Sequence, residues 1–493
     1  MKKSLKALVY GENVTPLPAF KVFSLFLMLV FNSMMNSSAH AYLPQLVKSF
    51  GISEVDTGQN VGIIVSSYYV SRTFSSLFWG YLADRISKKY VFIISSIGTA
   101  LFTIAFGFTT SFKWAVVTKF AAGCCAGMVV VSKAIIADIC DNTNMSLGVT
   151  IIVSSYSTGF VLGPVLGGYL SFPAEKYDGV FSKDSVFGRY SILLPNLLMA
   201  LVMLLLLVIF VLAFAKKSSN SYEVVLDLQR CKYGATERRK TVFSSMLTTS
   251  QLIAQSSQWK RLKNWMFNTT FCRLLRFKSC VMSCTLAGTC YMLAVAYQDI
   301  YPVFAATAKE YNGYGFSSQQ IGLCLLIVTC LMILIQVPLI GKLTSKFGSR
   351  KVFVFASLMM VFCLPMNVSI AVIINKYLFW ICLVVMSLLT RLALEGGFVT
   401  VNVFLNNSVP SDLVGSANGL CMSLTCLTRS VAPTLFGSVF SWSLGNIKDV
   451  EDNENPLGFP FNQYFTFYLL SFLSIFNAFF ATQLPKLIDR KQY

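Results

Sequence analysis

The chain has 493 residues, 55% of them hydrophobic and only 12% charged, and its Lys and Arg outnumber Asp and Glu by 40 to 21. A soluble domain carries charge on roughly a quarter of its residues, so the composition excludes an ordinary soluble enzyme or binding module and describes an all-α integral membrane protein. In a soluble chain a net charge of +19 would suggest nucleic acid; here its placement along the chain assigns topology, and no nucleic-acid partner is expected.

Twelve apolar stretches of about 20 residues, each long enough to cross ~30 Å of hydrocarbon, fall near 20–46, 59–82, 90–109, 114–137, 146–170, 191–215, 279–304, 318–340, 351–373, 377–404, 415–442 and 464–484. Assigning the connections and span ends alternately gives one face 28 Lys and Arg against 9 Asp and Glu, and the other face 8 against 10. The basic face carries both termini, so the positive-inside rule makes them cytoplasmic. The division is a cytoplasmic N-terminus (1–19), a six-helix bundle (20–215), a basic cytoplasmic linker (216–278), a second six-helix bundle (279–484) and a cytoplasmic tail (485–493). Lys2, Lys3 and Lys6 before an apolar run ending at Ala39-His40-Ala41 look like a secretory leader. Its removal would leave eleven spans and break the symmetry of the halves, so this run is expected to be the first span.

Between spans two and three, Gly80 permits close helix approach and Asp84 ends the second span with a negative charge. Arg85, Lys88 and Lys89 hold the turn in the cytosol. Span five carries Gly159-x-x-x-Gly163-Pro164-x-x-Gly167-Gly168, a stripe of small residues suited to a helix interface, with a proline that bends the axis. In the linker, Trp259 to Phe277 alternates basic residues with Trp, Leu and Phe; it reads as an amphipathic helix on anionic lipid or as a solvated loop. The halves echo each other: Gly341-Lys342-Leu343 repeats Gly80-Tyr81-Leu82 261 residues on, and Ala432-Pro433 repeats Gly163-Pro164 269 residues on. Paired halves are what alternating access requires.

Six ionisable residues sit inside spans: Arg72, Lys119, Asp299, Arg391, Glu395 and Arg429. Each costs about 2.5–3.5 kcal/mol at the centre of an inserted helix, so they are expected to face a wet cavity or each other. Arg391 and Glu395 are four apart and can neutralise one another. Arg72 and Arg429 have no acid nearby in sequence, which makes them, with Arg391, the cationic substrate candidates. Asp299 and Glu395 are the carboxylates suited to exchanging a proton. Asn32 and Asn36 stand one turn apart on span one and add hydrogen bonds to the cavity; His40, a turn further on and the sole histidine, reads as a satisfied structural residue rather than a metal ligand. Four cations against two acids favour an anionic or carboxylate-bearing solute. The 14 cysteines avoid the outer loops and form no Cys-x-x-Cys pair, so no disulfide framework, metal site or cofactor is expected. No span holds a Ser/His/Asp set, so no enzyme activity is expected. Asn367-Val368-Ser369 is the one outward glycosylation sequon in reach.

The turn from Trp79 to Val91 resembles the loop between helices two and three of major facilitator superfamily transporters. Within that superfamily the chain resembles the zinc-induced facilitator-like branch. The residues that carry this resemblance are Thr15-Pro16-Leu17-Pro18, the block Arg72 to Lys89, Ala137-Asp138-Ile139-Cys140, Gly163 to Leu170, Pro173-Ala174-Glu175-Lys176-Tyr177, Phe181 to Arg189, Ala417-Asn418-Gly419 and Phe440-Ser441-Trp442. The resemblance implies twelve helices in two rocking bundles, a gating role for the span-five stripe, and a contact from Asp84 to a second-half helix when the cytoplasmic side is closed. It also implies proton-coupled export or compartmental loading of a small solute or metal chelate. Ser87 stands where the family has Gly, and the chain lacks the amino-terminal Cys-Pro-Gly-Cys and the His-containing tail after span six of plant members, which argues against a zinc-related substrate. A proton-independent uniporter and a non-transporting receptor or scaffold are the rival readings. The expected partners are a small solute, protons and membrane lipid around a monomer, in the plasma membrane or a vacuolar or lysosomal membrane.

Overall fold

The computed structural model describes residues 17–140, 145–177, 179–215, 274, 276–410, 414–447 and 457–485. Nearly all of the 216–278 linker, the chain before residue 17 and the tail after 485 lie outside the described residues. The described residues form the helices α1 (Ala19–Ser37), α2 (Ala39–Ser49), α3 (Thr57–Arg85), α4 (Lys88–Gly107), α5 (Phe112–Cys124), α6 (Met128–Ile139), α7 (Met145–Leu170), α8 (Pro173–Lys176), α9 (Val186–Arg189), α10 (Leu193–Ala215), α11 (Lys278–Ala306), α12 (Ser318–Phe347), α13 (Ser349–Ser369), α14 (Lys376–Asn407), α15 (Val414–Leu444) and α16 (Phe465–Thr482). No strand occurs among them.

Eight helical segments among the described residues are long and apolar enough to cross a membrane: α1 with α2, α4, α5 with α6, α10, α11, α13, α14 and α16. The outward faces show why these belong in lipid. On α10, Leu201, Leu205, Val208 and Leu212 form an exposed apolar stripe. On α16, Phe472, Ile475 and Phe479 point outward while Ser471, Ser474 and Asn477 are buried. That is the reverse of a water-facing helix. The other four of the twelve expected spans, α3, α7, α12 and α15, run 29, 26, 30 and 31 residues, each long enough to cross the hydrocarbon. α3 lies on α15 and α7 lies on α12, so these four helices form the seam between the two halves.

Two expected spans are interrupted. Span one is interrupted at Ser38, between α1 and α2. Within α2, Pro44 lacks the N–H that the His40 carbonyl would accept from in a regular helix. Span four breaks at residues 125–127, and four backbone groups at the break find partners on neighbouring helices. Ser95 Oγ donates to the Cys125 carbonyl at 2.7 Å and accepts from Gly127 N–H at 3.0 Å. Trp79 Nε1 donates to the Cys124 carbonyl at 2.8 Å and Ser75 Oγ to the Gly123 carbonyl at 2.9 Å.

The seam repeats itself. A methyl group on Gly62 of α3 would strike the Pro433 carbonyl of α15, and one on Gly437 would strike the Gly58 carbonyl. The same contacts recur between α7 and α12, where Gly322 meets the Pro164 carbonyl and Gly168 meets the Ser318 carbonyl. Pro164 and Gly168 precede Pro433 and Gly437 by 269 residues (433 less 164; 437 less 168). Gly58 and Gly62 precede Ser318 and Gly322 by 260 (318 less 58; 322 less 62). The sequence echo is thus one helix crossing made twice about a pseudo-two-fold axis. Gly62→Leu should lower stability by about 1–3 kcal/mol, the usual cost of overpacking; thermal unfolding of the purified protein in detergent checks this, and an unchanged midpoint would contradict the crossing.

Candidate functional site

Apolar packing around the seam is uneven from one end of the helices to the other. At the face opposite the basic turns, one cluster joins both halves and includes Tyr42, Ile64, Tyr297, Phe304, Phe440 and Phe467. Toward the basic face each half keeps a cluster of its own, one around Met28, Trp79, Phe92 and Phe210 and the other around Cys284, Phe353 and Phe404.

Polar clamps complete the seal at the opposite face. The Lys176 ammonium, just past α7, donates to the Gly168 carbonyl at 2.6 Å, to Ser171 Oγ at 3.2 Å and, across the seam, to Ser318 Oγ at 2.7 Å. Burial holds the Lys176 pKa down to about 8, so at neutral pH it is still mainly protonated and has three N–H bonds for three acceptors. Lys48 pairs with Glu54 at 2.7 Å and donates to the Ala306 carbonyl, also at 2.7 Å. Glu54 in turn accepts from Ala308 N–H at 2.8 Å. Both clamps tie the first half to the second.

Beneath this seal lies a cavity of about 180 Å³ between the halves. Tyr69 of α3, Gln298 of α11, Gln336 of α12, Arg391 and Glu395 of α14 and Arg429 of α15 line it. The Arg429 guanidinium sits 4.6 Å from the centre of the Tyr291 ring, and its Nε is buried with no hydrogen-bond partner. Arg391 and Glu395, spaced to neutralise one another, form no ion pair within 4.0 Å among the described residues; both face the cavity instead.

The other expected site residues lie off this wall. Arg72 stacks 5.9 Å from the centre of the Tyr68 ring and is close to Tyr69 and Tyr156 of the cavity wall. Asn36 donates to the Asn32 carbonyl at 2.9 Å and lies beside the Tyr68 hydroxyl, while Asn32 is buried with its Oδ1 unpartnered. Lys119 rests 4.2 Å from the centre of the Phe106 ring. Asp299 is buried, with Oδ2 unpartnered and Oδ1 3.6 Å from His40 Nε2. Sequence reasoning assigned His40 a bland structural role; its partner lies 259 residues away, and no spacing rule links them.

In the basic turn, Lys88 pairs with Asp138 at 2.6 Å and Lys89 donates to the Phe214 carbonyl at 3.0 Å, both within the first half. Arg85 lies over the Tyr81 ring. Gly80 faces Val130 across an ordinary contact distance. The side chain of Asp84 lies outside the described residues. In the span-five stripe, Gly159, Gly163 and Gly167 abut the backbone of span one in the same half, and only Pro164 and Gly168 meet the second half. Asn367, the expected sequon, is buried and donates to the Cys363 carbonyl and Thr390 Oγ1, each at 2.8 Å, so the glycosylation expectation is corrected.

Residues 25–433 match the family model described as Major Facilitator Superfamily. The chain belongs to the major facilitator superfamily. Its relatives include a probable peptide/nitrate transporter of Arabidopsis thaliana, 27% identical over 83% of this chain and 80% of that protein. The zinc induced facilitator-like 1 protein of the same plant is 24% identical over 86% and 85%. Among solved structures of the superfamily, the chain shares its fold with a bacterial homologue of the human lysosomal transporter Spinster (TM-score 0.63, 11% identity, 98% of this chain and 99% of that one). It likewise shares it with a D-xylose–proton symporter (TM-score 0.62, 14% identity, 96% and 98%). Membership makes the protein a multi-pass membrane transporter rather than an enzyme, and the superfamily fold supplies the two-bundle arrangement in which the four seam helices count as spans.

The clamps predict an accessibility change. With Ser441→Cys as a reporter in the seam, Lys176→Met should raise labelling by a membrane-impermeant maleimide by about tenfold, since hydrogen bonds to a charged group are worth about 1.5–3 kcal/mol. Equal labelling with and without Lys176 would show that the clamp does not hold the face closed.

Proposed function

We propose that this transporter moves a small anionic or carboxylate-bearing solute, free or as a metal chelate, by proton-coupled antiport in the direction of export or compartmental loading. The observation that carries the reading is the inter-half cavity. Two guanidinium groups and one carboxylate share its wall without pairing to each other, and Arg429 Nε is left without an acceptor. An unmatched donor on a cationic wall fits a bidentate anion, because guanidinium presents a planar fork to carboxylate. Tyr291 beneath Arg429 and Phe398 beside Tyr291 fix the fork's plane and offer an apolar surface to the rest of the solute.

In this reading the protein crosses the bilayer twelve times, with the bundles at 20–215 and 279–484 and both termini in the cytosol. The face sealed by Lys176 and Lys48 is the outer or lumenal one. The cavity is therefore held from that side, and the basic turn with Gly80, Asp84, Arg85, Lys88 and Lys89 serves as the cytoplasmic gate in the opposite state. The span-five stripe carries the gate's movement between span one and α12. Glu395, on the cavity wall, exchanges its proton against solute in the same space as the arginines, and Asp299 is the carboxylate nearer the outer side. Arg72 stands behind the wall as a reserve of positive charge. The transporter acts as a monomer in lipid, in a plasma, vacuolar or lysosomal membrane.

Comparing metabolite loss in cells with and without the protein identifies the solute, and reconstituted vesicles then test the mechanism. Arg429→Gln should raise the KM for that solute by about 10- to 100-fold, the loss expected for one charge-assisted contact, with unchanged thermal stability. Glu395→Gln should leave solute exchange intact while abolishing its response to a proton gradient. Solute flux indifferent to the gradient in the unaltered protein would select a uniporter, and saturable binding without flux would select a receptor.

A further inference from the structure

We propose that His40 and Asp299 form a single proton site divided between the two halves, and that the outer face closes only when one proton is held between them. This rests on the reading of Asp299 as a coupling carboxylate and adds the partner that reading lacks.

The geometry is specific. His40 belongs to α2 of the first half and Asp299 to α11 of the second, and Nε2 stands 3.6 Å from Oδ1 with both side chains largely buried. The other carboxylate oxygen, Oδ2, is buried with no partner. The Phe160 ring meets the imidazole edge-on, with centroids 5.7 Å apart, and bars that side to water. Pro44, four residues on, also denies the His40 carbonyl the usual helix hydrogen bond. The α2 segment is fastened to α11 twice, by His40 at Asp299 and by Lys48 at the Ala306 carbonyl. The pair therefore exists only while the outer seam is shut. The charged and titratable groups that bear on it from the surrounding helices are Lys119 of α5, Arg391 of α14 and Tyr69 of α3.

Proton bookkeeping gives the coupling. With one proton the closed pair is neutral overall, either as carboxylic acid with imidazole or as carboxylate with imidazolium, and transfer between Asp299 Oδ1 and His40 Nε2 converts one form to the other without loss of a proton. With none, the pair buries a net negative charge whose Oδ2 has no donor, and parting the halves lets water solvate it. Once the halves are parted, both groups meet the outer solution, where an ordinary histidine near pKa 6.5 is neutral above that pH and the carboxylate is ionised. Closing then takes up one proton. By linkage, each pH unit changes the closed-to-open ratio about tenfold above pH ~6.5 and little below it, where the open histidine already holds the proton.

The test needs no knowledge of the solute. Hydrogen–deuterium exchange of the full chain in lipid nanodiscs, corrected for the intrinsic pH dependence of amide exchange, reads closure in the 306–318 and 168–176 segments. Protection in the unaltered protein should rise about tenfold per pH unit from pH ~8.5 to ~6.5 and then level off. His40→Gln and Asp299→Asn should each flatten the profile, and the double variant should add nothing to either single one. Asp299→Asn serves alone if His40→Gln does not yield monodisperse protein. A profile unchanged by His40→Gln, or single effects that simply add, would overturn the shared site. If the profile behaves as proposed but vesicles show no proton-coupled flux, the antiport reading fails and the shared site stands. Coupled flux together with a His40→Gln profile identical to that of the unaltered protein overturns the shared site and leaves antiport standing.

Discussion

The two halves touch backbone to backbone where α3 crosses α15 and α7 crosses α12. At each crossing a glycine lies against a carbonyl of the facing helix, so the axes approach more closely than any side chain would permit. In a bilayer no hydrophobic force drives such an approach, because lipid tails are as apolar as leucine; tight packing and satisfied polar groups must supply it. At the crossings the seam helices accordingly present Gly, Ser and Thr. Ser441 Oγ accepts from Gln59 N–H at 2.8 Å, and Ser66 Oγ accepts from Thr434 N–H at 3.2 Å.

Because the crossing is made twice at matching offsets, the seam has two equivalent contacts on either side of a central space. Closing the ends opposite the basic turns over that space leaves a chamber where charged side chains are tolerated. Arg391, Glu395 and Arg429 occupy it, at a depth where each would be costly against lipid. The energetics of the seam and the chemistry of the cavity therefore follow from one arrangement.

Much of this was legible in the chain. Span positions followed from apolar length, the halves from the echoes at Gly80 and Gly163-Pro164, and the ionisable residues of the interior from their cost in hydrocarbon. What escaped was set by distant partners. The break at 125–127 depends on Ser95, Ser75 and Trp79 from other helices, which no local propensity reports. Spacing of four made Arg391 and Glu395 look self-neutralising, yet the cavity draws both side chains inward. His40 had nothing near it in sequence to suggest a partner, and the proline four residues on was the one available signal.

The central claim is that the halves rock about the paired crossings, so that the outer and basic faces open in alternation. Pulsed electron spin resonance on spin labels introduced as unnatural amino acids tests this most directly, with one pair at Asp184 and Glu310 on the face opposite the basic turns and another at Lys89 and Lys346 on the basic face. All four positions are exposed. The account predicts that conditions which lengthen the first distance shorten the second. Two distances that rise and fall together, or that hold one value throughout, would contradict it.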